Sequence, residues 1–157
     1  MDTLIAYFDD AEHACHQLMP LLAPSTAPST AAAQQATHWI LVACPPRMTR
    51  RVSKWVSYAN RENWRARWAE KVTDPVVQAV VAPGDQLTRL VAHGPLADLS
   101  DSLRRQFPGA RVLDARRPKL GQDLPAVTHN QPEPQNARWA VPGAVAGLGA
   151  ALVLATE

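Results

Sequence analysis

The sequence predicts an α/β fold, a three-layer domain in which a small, mostly parallel sheet of about four strands lies between helices. Short apolar runs alternate with amphipathic helical segments along the chain, an order typical of parallel sheets with right-handed crossovers. The chain has 157 residues and is 46% hydrophobic, which suits one domain with a buried core. Its two cysteines exclude a disulfide scaffold and a four-cysteine zinc site.

Four apolar runs have the length and composition of buried strands. They cover residues 3–8, 38–44, 87–92 and 110–115. The run VVQAVV at 76–81 is open to two interpretations: it belongs to a short helix that begins at Asp74-Pro75, or it forms a further strand.

Three segments have helical character. The first follows Asp9, which we predict to be its N-cap. The second spans 49–71, with a break near Asn60. The third follows Gly94-Pro95, and four apolar residues recur along it at helical spacing: Leu96, Leu99, Leu103 and Phe107.

The chain divides into three predicted parts. Residues 1–117 form the α/β domain, which contains a flexible, low-complexity loop with an APST repeat at 23–37. Residues 118–137 hold four prolines and no periodicity, which predicts a linker. Residues 138–157 form a C-terminal membrane segment. Because Asp2 stands where a signal peptide has basic residues, we expect the domain in the cytoplasm with reduced thiols.

The uncharged stretch of the C-terminal segment, residues 139–155, predicts a single-pass membrane helix. Its seventeen residues would form a helix about 26 Å long, close to the ~30 Å of a hydrocarbon core. The residues that we assign to the membrane include an interfacial tryptophan, a GxxxG pair and an apolar side chain: Trp139, Gly143, Gly147 and Leu152. The GxxxG spacing suits a homodimer in the bilayer. The alternative is an Ala/Gly-rich helix buried in the domain.

The carboxyl ends of the predicted strands indicate where a ligand would bind, because open parallel sheets bind ligands there. The strand ends carry two aspartates, then Cys44 and a group of arginines, then His93-Gly94, and finally Asp114 with Arg116 and Arg117. From these we predict a site for a small anionic, phosphate-like ligand, formed by Arg47, Thr49, Arg50, Asp9 and His93. The alternative is that the arginines are solvated or pair with Asp9 and Asp10.

Two local patterns resemble known families. The spacing from Cys44 to Arg50 resembles the phosphate-binding loop of cysteine-dependent phosphatases, in which a thiolate attacks phosphorus. Pro45-Pro46 remove two N–H groups that such a loop needs, so we interpret Cys44 as a buried structural residue. The βαβ pattern with an acidic end to its first strand is similar to nucleotide-binding universal-stress-type domains, although their glycine-rich phosphate motif is missing.

Residues 50–71 are basic and hold three of the five tryptophans. We predict a basic aromatic surface formed by Lys54, Trp64, Arg65 and Trp68. Such a surface would contact an anionic bilayer or nucleic acid, and the alternative is a crossover helix whose tryptophans pack on the sheet. On the first helix, His13, Cys15 and His16 cannot converge on one metal ion, so we predict no metal and no cofactor.

These observations predict a membrane-tethered cytoplasmic module with an interaction or regulatory role and no catalytic residues. The alternative is a sensor domain for a small nucleotide or phosphate ligand. Nucleic-acid binding through residues 50–71 is the weaker alternative. The expected partners are the membrane, a protein or a second copy of the chain through its tail, and a small anion.

Overall fold

The computed structural model describes residues 1–22, 36–120, 124–131 and 152–154, and it contains one sheet. Its order is β3-β2-β1-β4-β5, in which the first four strands are parallel and β5 is antiparallel to β4. The strands are β1 (Asp2–Phe8), β2 (Thr37–Ala43), β3 (Gln86–Val91), β4 (Arg111–Asp114) and β5 (Leu152–Leu154). The predicted α/β fold with a parallel sheet of four strands is therefore confirmed.

Four helices are described: α1 (Ala11–Leu22), α2 (Arg50–Ser53), α3 (Tyr58–Val80) and α4 (Leu96–Gln106). Two boundaries differ from those predicted. The break in 49–71 lies at residues 54–57, because the Ser57 hydroxyl accepts the Asn60 N–H (3.3 Å) and starts α3 there. The helical interpretation of 76–81 is correct, but no new helix begins at Asp74-Pro75. Residues on both sides of Pro75 pack on the sheet, and α3 continues through it.

Apolar side chains cover both faces of the sheet, because successive residues of a strand point to opposite sides. On one face α1 and α3 pack over Leu4, Phe8, Trp39 and Leu41, among others. On the other face α4 packs over Ile5, Tyr7, Ile40 and Val42, and its stripe Leu96, Leu99, Leu103 and Phe107 meets the sheet as predicted. The sheet therefore lies between two layers of helices.

Residues 124–131, which fall inside the predicted linker, pack against the α4 side of the domain. Val127 is fully buried in the apolar cluster there, and its carbonyl accepts a hydrogen bond from the buried Ser100 hydroxyl. His129 Nε2 lies 3.4 Å from Asp98 and 3.3 Å from Asp101 on α4. This part of the chain is therefore attached to α4, because burial of Val127 favours contact with the domain.

The predicted membrane segment lies mostly outside the described residues. Within it the structure places the backbone of Leu152–Leu154 as β5, with Leu152 opposite Asp114 and Leu154 opposite Val112. This differs from a helix that continues to residue 155. Strand β5 pairs with the outer side of β4. Unpaired N–H and C=O groups at the edge of a sheet favour the addition of such a strand.

Candidate functional site

A cleft of about 1200 Å³ lies where the four parallel strands end. The chain just beyond each strand contributes a residue to the cleft. Asp9, Cys44 and Ala92 directly follow β1, β2 and β3, and Arg116 lies two positions after β4. The strand order changes direction at β1, whose neighbours are β2 on one side and β4 on the other. Sheets of this class bind ligands beside that point, so the cleft occupies the expected position for a ligand.

The cleft is lined by more basic than acidic side chains. Four cationic side chains and one carboxylate line it: Arg47, Arg65, Arg116, Lys119 and Asp9. They come from four different parts of the fold, namely the loop after β2, helix α3, the chain after β4 and the end of β1. The excess of positive charge favours an anionic ligand.

Arg116 is the buried cation of the cleft, with a side chain that is only 3% exposed. Its Nε and Nη2 atoms each donate to a different carboxylate oxygen of Asp114, both at 2.8 Å. Burial opposes the charged form, but the hydrogen bonds to Asp114 together with the negative charges of Asp114 and Asp9 outweigh it and raise the pKa of Arg116 above its ordinary value. The guanidinium is therefore fixed in place, and neither bond uses its Nη1 atom.

The other three cations are more accessible. Arg65 donates to Glu62 at 2.8 Å and remains about one-third exposed. Lys119 Nζ lies 3.9 Å from Asp9. Arg47 is exposed and makes no ion pair within the described part of the chain. These side chains can turn toward a ligand without breaking a buried contact.

The N-terminus of α4 also reaches the cleft, which is lined by residues 93–97. Gly94 adopts a φ of +74°, which turns the chain from β3 into the helix. The residue before the helix is Pro95, whose side chain makes no capping hydrogen bond. The first-turn N–H groups of a helix have no partner within it, and they carry a partial positive charge. This helix end therefore adds to the attraction for an anion.

The end of β1 attracts anions less than the start of α4 does. Carboxylates there already accept hydrogen bonds from the nearby backbone N–H groups. Asp10 caps α1 by accepting the His13 N–H at 2.8 Å. Asp9 accepts the Arg117 N–H at 2.8 Å, which links the ends of β1 and β4. The predicted N-cap at Asp9 is therefore wrong, and Asp10 has that role. A phosphate would be repelled from the start of α1 and attracted to the start of α4.

Cys44 lines the cleft as a thiol. Burial raises its pKa to about 12, and the neighbouring carboxylates of Asp9 and Asp114 add to the rise while Arg116 opposes it. Its Sγ lies 3.8 Å from the Val42 carbonyl oxygen. The nucleophilic form of cysteine is the thiolate, so this group is not activated for attack on phosphorus.

The five residues predicted to bind an anion fall into two groups. Asp9, Arg47 and His93 line the cleft, whereas Thr49 and Arg50 do not. Thr49 and Arg50 are exposed at the start of α2, a helix of only four residues. Three further residues that were not predicted to bind the anion also line the cleft: Arg65, Arg116 and Lys119. Arg116 was recognisable at the end of a strand, but Arg65 and Lys119 reach the cleft only through the fold.

The predicted basic aromatic surface is divided by the fold. Trp68 packs partly buried against the core, and Arg65 lines the cleft. Trp64 remains 37% exposed and Lys54 is exposed. Of the predicted membrane residues, Trp139, Gly143 and Gly147 lie outside the described residues, and Leu152 belongs to β5.

The chain matches no protein-family model, no curated protein and no solved structure. None of helices α1 to α4 combines the length and the apolar character that a membrane-spanning helix needs. Within the described ranges, no three histidine, cysteine or carboxylate side chains come together as metal ligands would. Any functional assignment therefore depends on the geometry of the cleft and on the sequence itself.

Proposed function

We propose that this protein is a non-catalytic sensor module that binds a small phosphate-bearing ligand in the cleft at the carboxyl ends of β1 to β4. The observation that carries the proposal is the convergence of Arg47, Arg65, Arg116 and Lys119 on one cleft, beside the uncapped start of α4. Guanidinium groups bind phosphate through paired N–H donors, and helix N-termini bind the same group through backbone N–H.

The size of the cleft favours a ligand larger than inorganic phosphate. Its volume of about 1200 Å³ lies at or above the upper end of small-molecule sites, which are roughly 300–1,000 Å³. Apolar groups also line it, among them Pro45, Pro46 and Leu124, which suit the planar base of a nucleotide. The protonated thiol of Cys44 supports binding without covalent chemistry.

Thermal unfolding of the full chain with added phosphate, pyrophosphate and adenine nucleotides tests the proposal. We expect a nucleotide to raise Tm, because a ligand that binds only the folded state stabilises it by mass action. Arg47→Ala should weaken the affinity about tenfold, the value of one charge-assisted hydrogen bond of about 1.4 kcal/mol.

Arg50→Ala is the matched control, since Arg50 is an exposed arginine near Arg47 in the chain that does not line the cleft. Its affinity should equal that of the wild type. The proposal fails if no phosphate-bearing probe shifts Tm at about millimolar concentration, where even a weak complex is populated. It also fails if Arg50→Ala weakens binding as much as Arg47→Ala.

A second proposal concerns attachment to the membrane through residues 139–155, with the domain in the cytoplasm. It is supported by seventeen consecutive uncharged residues that follow Arg138. Leu152–Leu154 form β5 in the structure and would belong to the spanning helix in the membrane. These residues cannot be in both conformations at once. A helix limited to 139–151 would be only about 20 Å long, which is too short to span a bilayer.

Fractionation of cells that express the full chain tests the tether. Gly147→Arg places a charge at the centre of the segment, at a cost of about 2.5–3.5 kcal/mol for insertion, and should move the protein out of the membrane fraction. Gly147→Leu keeps the segment uncharged and should leave the protein there. A wild-type chain that is absent from the membrane fraction contradicts the tether and leaves the cleft unaffected.

A further inference from the structure

The corner between β2 and α3 combines exposed bases with exposed apolar side chains. We call residues 47–58 the α2 corner. This segment holds four bases and no acid: Arg47, Arg50, Arg51 and Lys54. All four are exposed, and none of them forms an ion pair with any residue that the structure describes. Their charge is therefore available to an external partner.

Large apolar groups of the α2 corner also point into solvent. Trp55 is 89% exposed, Tyr58 is 71% exposed and Val52 is 51% exposed. The backbone N–H of Trp55 donates to the Val52 carbonyl oxygen at 3.1 Å, so a turn holds these two residues close together. Exposure of several large apolar groups in one short segment is typical of an interaction site, since it costs free energy in water.

We propose that the α2 corner is a docking surface for an anionic lipid bilayer. Tryptophan and tyrosine side chains lie at the level of lipid headgroups, and nearby arginine and lysine attract the negative leaflet surface. The aliphatic Val52 favours a bilayer over nucleic acid. Single strands bind through phosphate contacts and stacking on aromatic rings, and neither contact uses an aliphatic side chain.

This surface differs from the predicted one, which included Trp64, Arg65 and Trp68. In the fold, Trp68 packs against the core, Arg65 lines the cleft, and Trp55 remains exposed. The proposal is independent of the C-terminal tether, because it concerns only the difference between anionic and neutral lipid. The corner shares Arg47 with the cleft, and none of the variants that test the corner changes Arg47.

Fluorescence quenching of the full chain by two kinds of vesicle tests the proposal. One kind is phosphatidylcholine alone, and the other is phosphatidylcholine with phosphatidylserine. Lipids that carry bromine on the acyl chain near the headgroup quench the fluorescence of tryptophan that enters the interface. We expect stronger quenching with the anionic vesicles, and we expect Trp55→Phe to remove that excess. Both proteins contain the other four tryptophans, so the difference in quenching between them reports on Trp55.

The double variant Arg50→Glu with Lys54→Glu should weaken the anionic preference at least about tenfold, because two bases that attract the negative surface are replaced by acids that it repels. Arg105→Glu is the control, because this exposed base belongs to α4 on the opposite layer, and it should bind like the wild type. Equal quenching by both vesicles overturns the proposal. So does retention on single-stranded RNA by the α2 corner without any preference for anionic lipid.

Discussion

At the scale of single residues, Asp85 joins the start of β2 to the turn before β3. Its carboxylate accepts the backbone N–H of Thr37 at 2.8 Å, the backbone N–H of Ala82 at 3.0 Å and the Trp39 indole N–H at 3.2 Å. Burial opposes ionisation, but these three donors outweigh it and lower the pKa of Asp85 from its ordinary 3.8. The ionised side chain therefore stabilises the folded state.

We expect Asp85→Asn to destabilise the protein by about 1–2 kcal/mol near neutral pH, because an amide cannot accept all three bonds. A lowered folded pKa means that the stabilisation is complete above the ordinary value and is lost as the pH falls through the folded value. The difference between wild type and variant in urea unfolding should therefore shrink below about pH 4. Asp74→Asn breaks only the exposed pair with Arg89 and should cost less. Equal losses in the two variants would contradict the role of Asp85.

Cys44 gives a second test at this scale. A rise in pKa from 9.0 to about 12 leaves almost no thiolate at neutral pH. In a Cys15→Ser variant, which leaves Cys44 as the single thiol, iodoacetamide should modify the native protein far more slowly than the urea-unfolded chain. Alkylation at similar rates in both states would mean that Cys44 is an accessible thiol of ordinary pKa. Faster alkylation of the native protein would indicate a thiolate and revive the resemblance to cysteine-dependent phosphatases.

At the scale of elements, one hydroxyl joins a strand, a helix and a loop. The fully buried Ser100 on α4 bonds the Tyr7 hydroxyl of β1 at 2.7 Å and donates to the Val127 carbonyl. The Ser100 hydroxyl has one proton, which it donates to the Val127 carbonyl oxygen. The Tyr7 hydroxyl must therefore be the donor in its bond to the Ser100 oxygen. Burial raises the pKa of Tyr7 to about 12, so this donor keeps its proton. The attachment of residues 124–131 therefore depends on a polar contact inside an apolar layer.

Ser100→Ala should lower the free energy of unfolding by about 2 kcal/mol or more, because two buried polar groups lose their partner. Ser102→Ala on the same helix is the control and should cost less, since Ser102 is only partly buried. Adding Tyr7→Phe to Ser100→Ala should give less than the sum of the two single losses, measured by chemical denaturation. Additive losses would show that the two hydroxyls are not coupled.

At the scale of the whole molecule, β1 and β2 form the most protected part of the sheet. β1 pairs along its length with β2 and also with β4, and the side chains of residues 5–8 are fully buried. We expect the slowest amide hydrogen exchange in β1 and β2 and the fastest in the exposed α2 corner, measured by mass spectrometry. Similar protection of the α2 corner and β1 would contradict this arrangement of the core.

The fold was largely predictable because its signals are local. Buried strands such as β2 are continuous apolar runs, and α4 carries its apolar stripe at helical spacing, so each element can be recognised without its neighbours. The boundaries at Asp9 and Pro75 were predicted wrongly because they depend on contacts with distant parts of the chain. Asp9 is engaged by Arg117, which is 108 positions away, and Pro75 is accommodated by packing on the sheet.

The cleft was predictable in position but only partly in composition. The rule that ligands bind at strand ends located it, and three of the five chosen residues line it. Arg65 was not found because it belongs to a helix face, and its distance from the strand ends depends on how α3 crosses the sheet. The burial and the pKa of Cys44 and Arg116 could not be predicted from the sequence either, because they depend on neighbours that are distant in the chain.

By itself the sequence determined the alternation of strands and helices, the parallel sheet and the excess of base near α2, since these follow from periodicity and composition. Only the tertiary structure decided which bases meet in the cleft, which tryptophans stay exposed, and that Cys44 remains a thiol. These properties depend on distances and burial between segments far apart in the chain, and hydrophobic packing of the whole domain sets those distances.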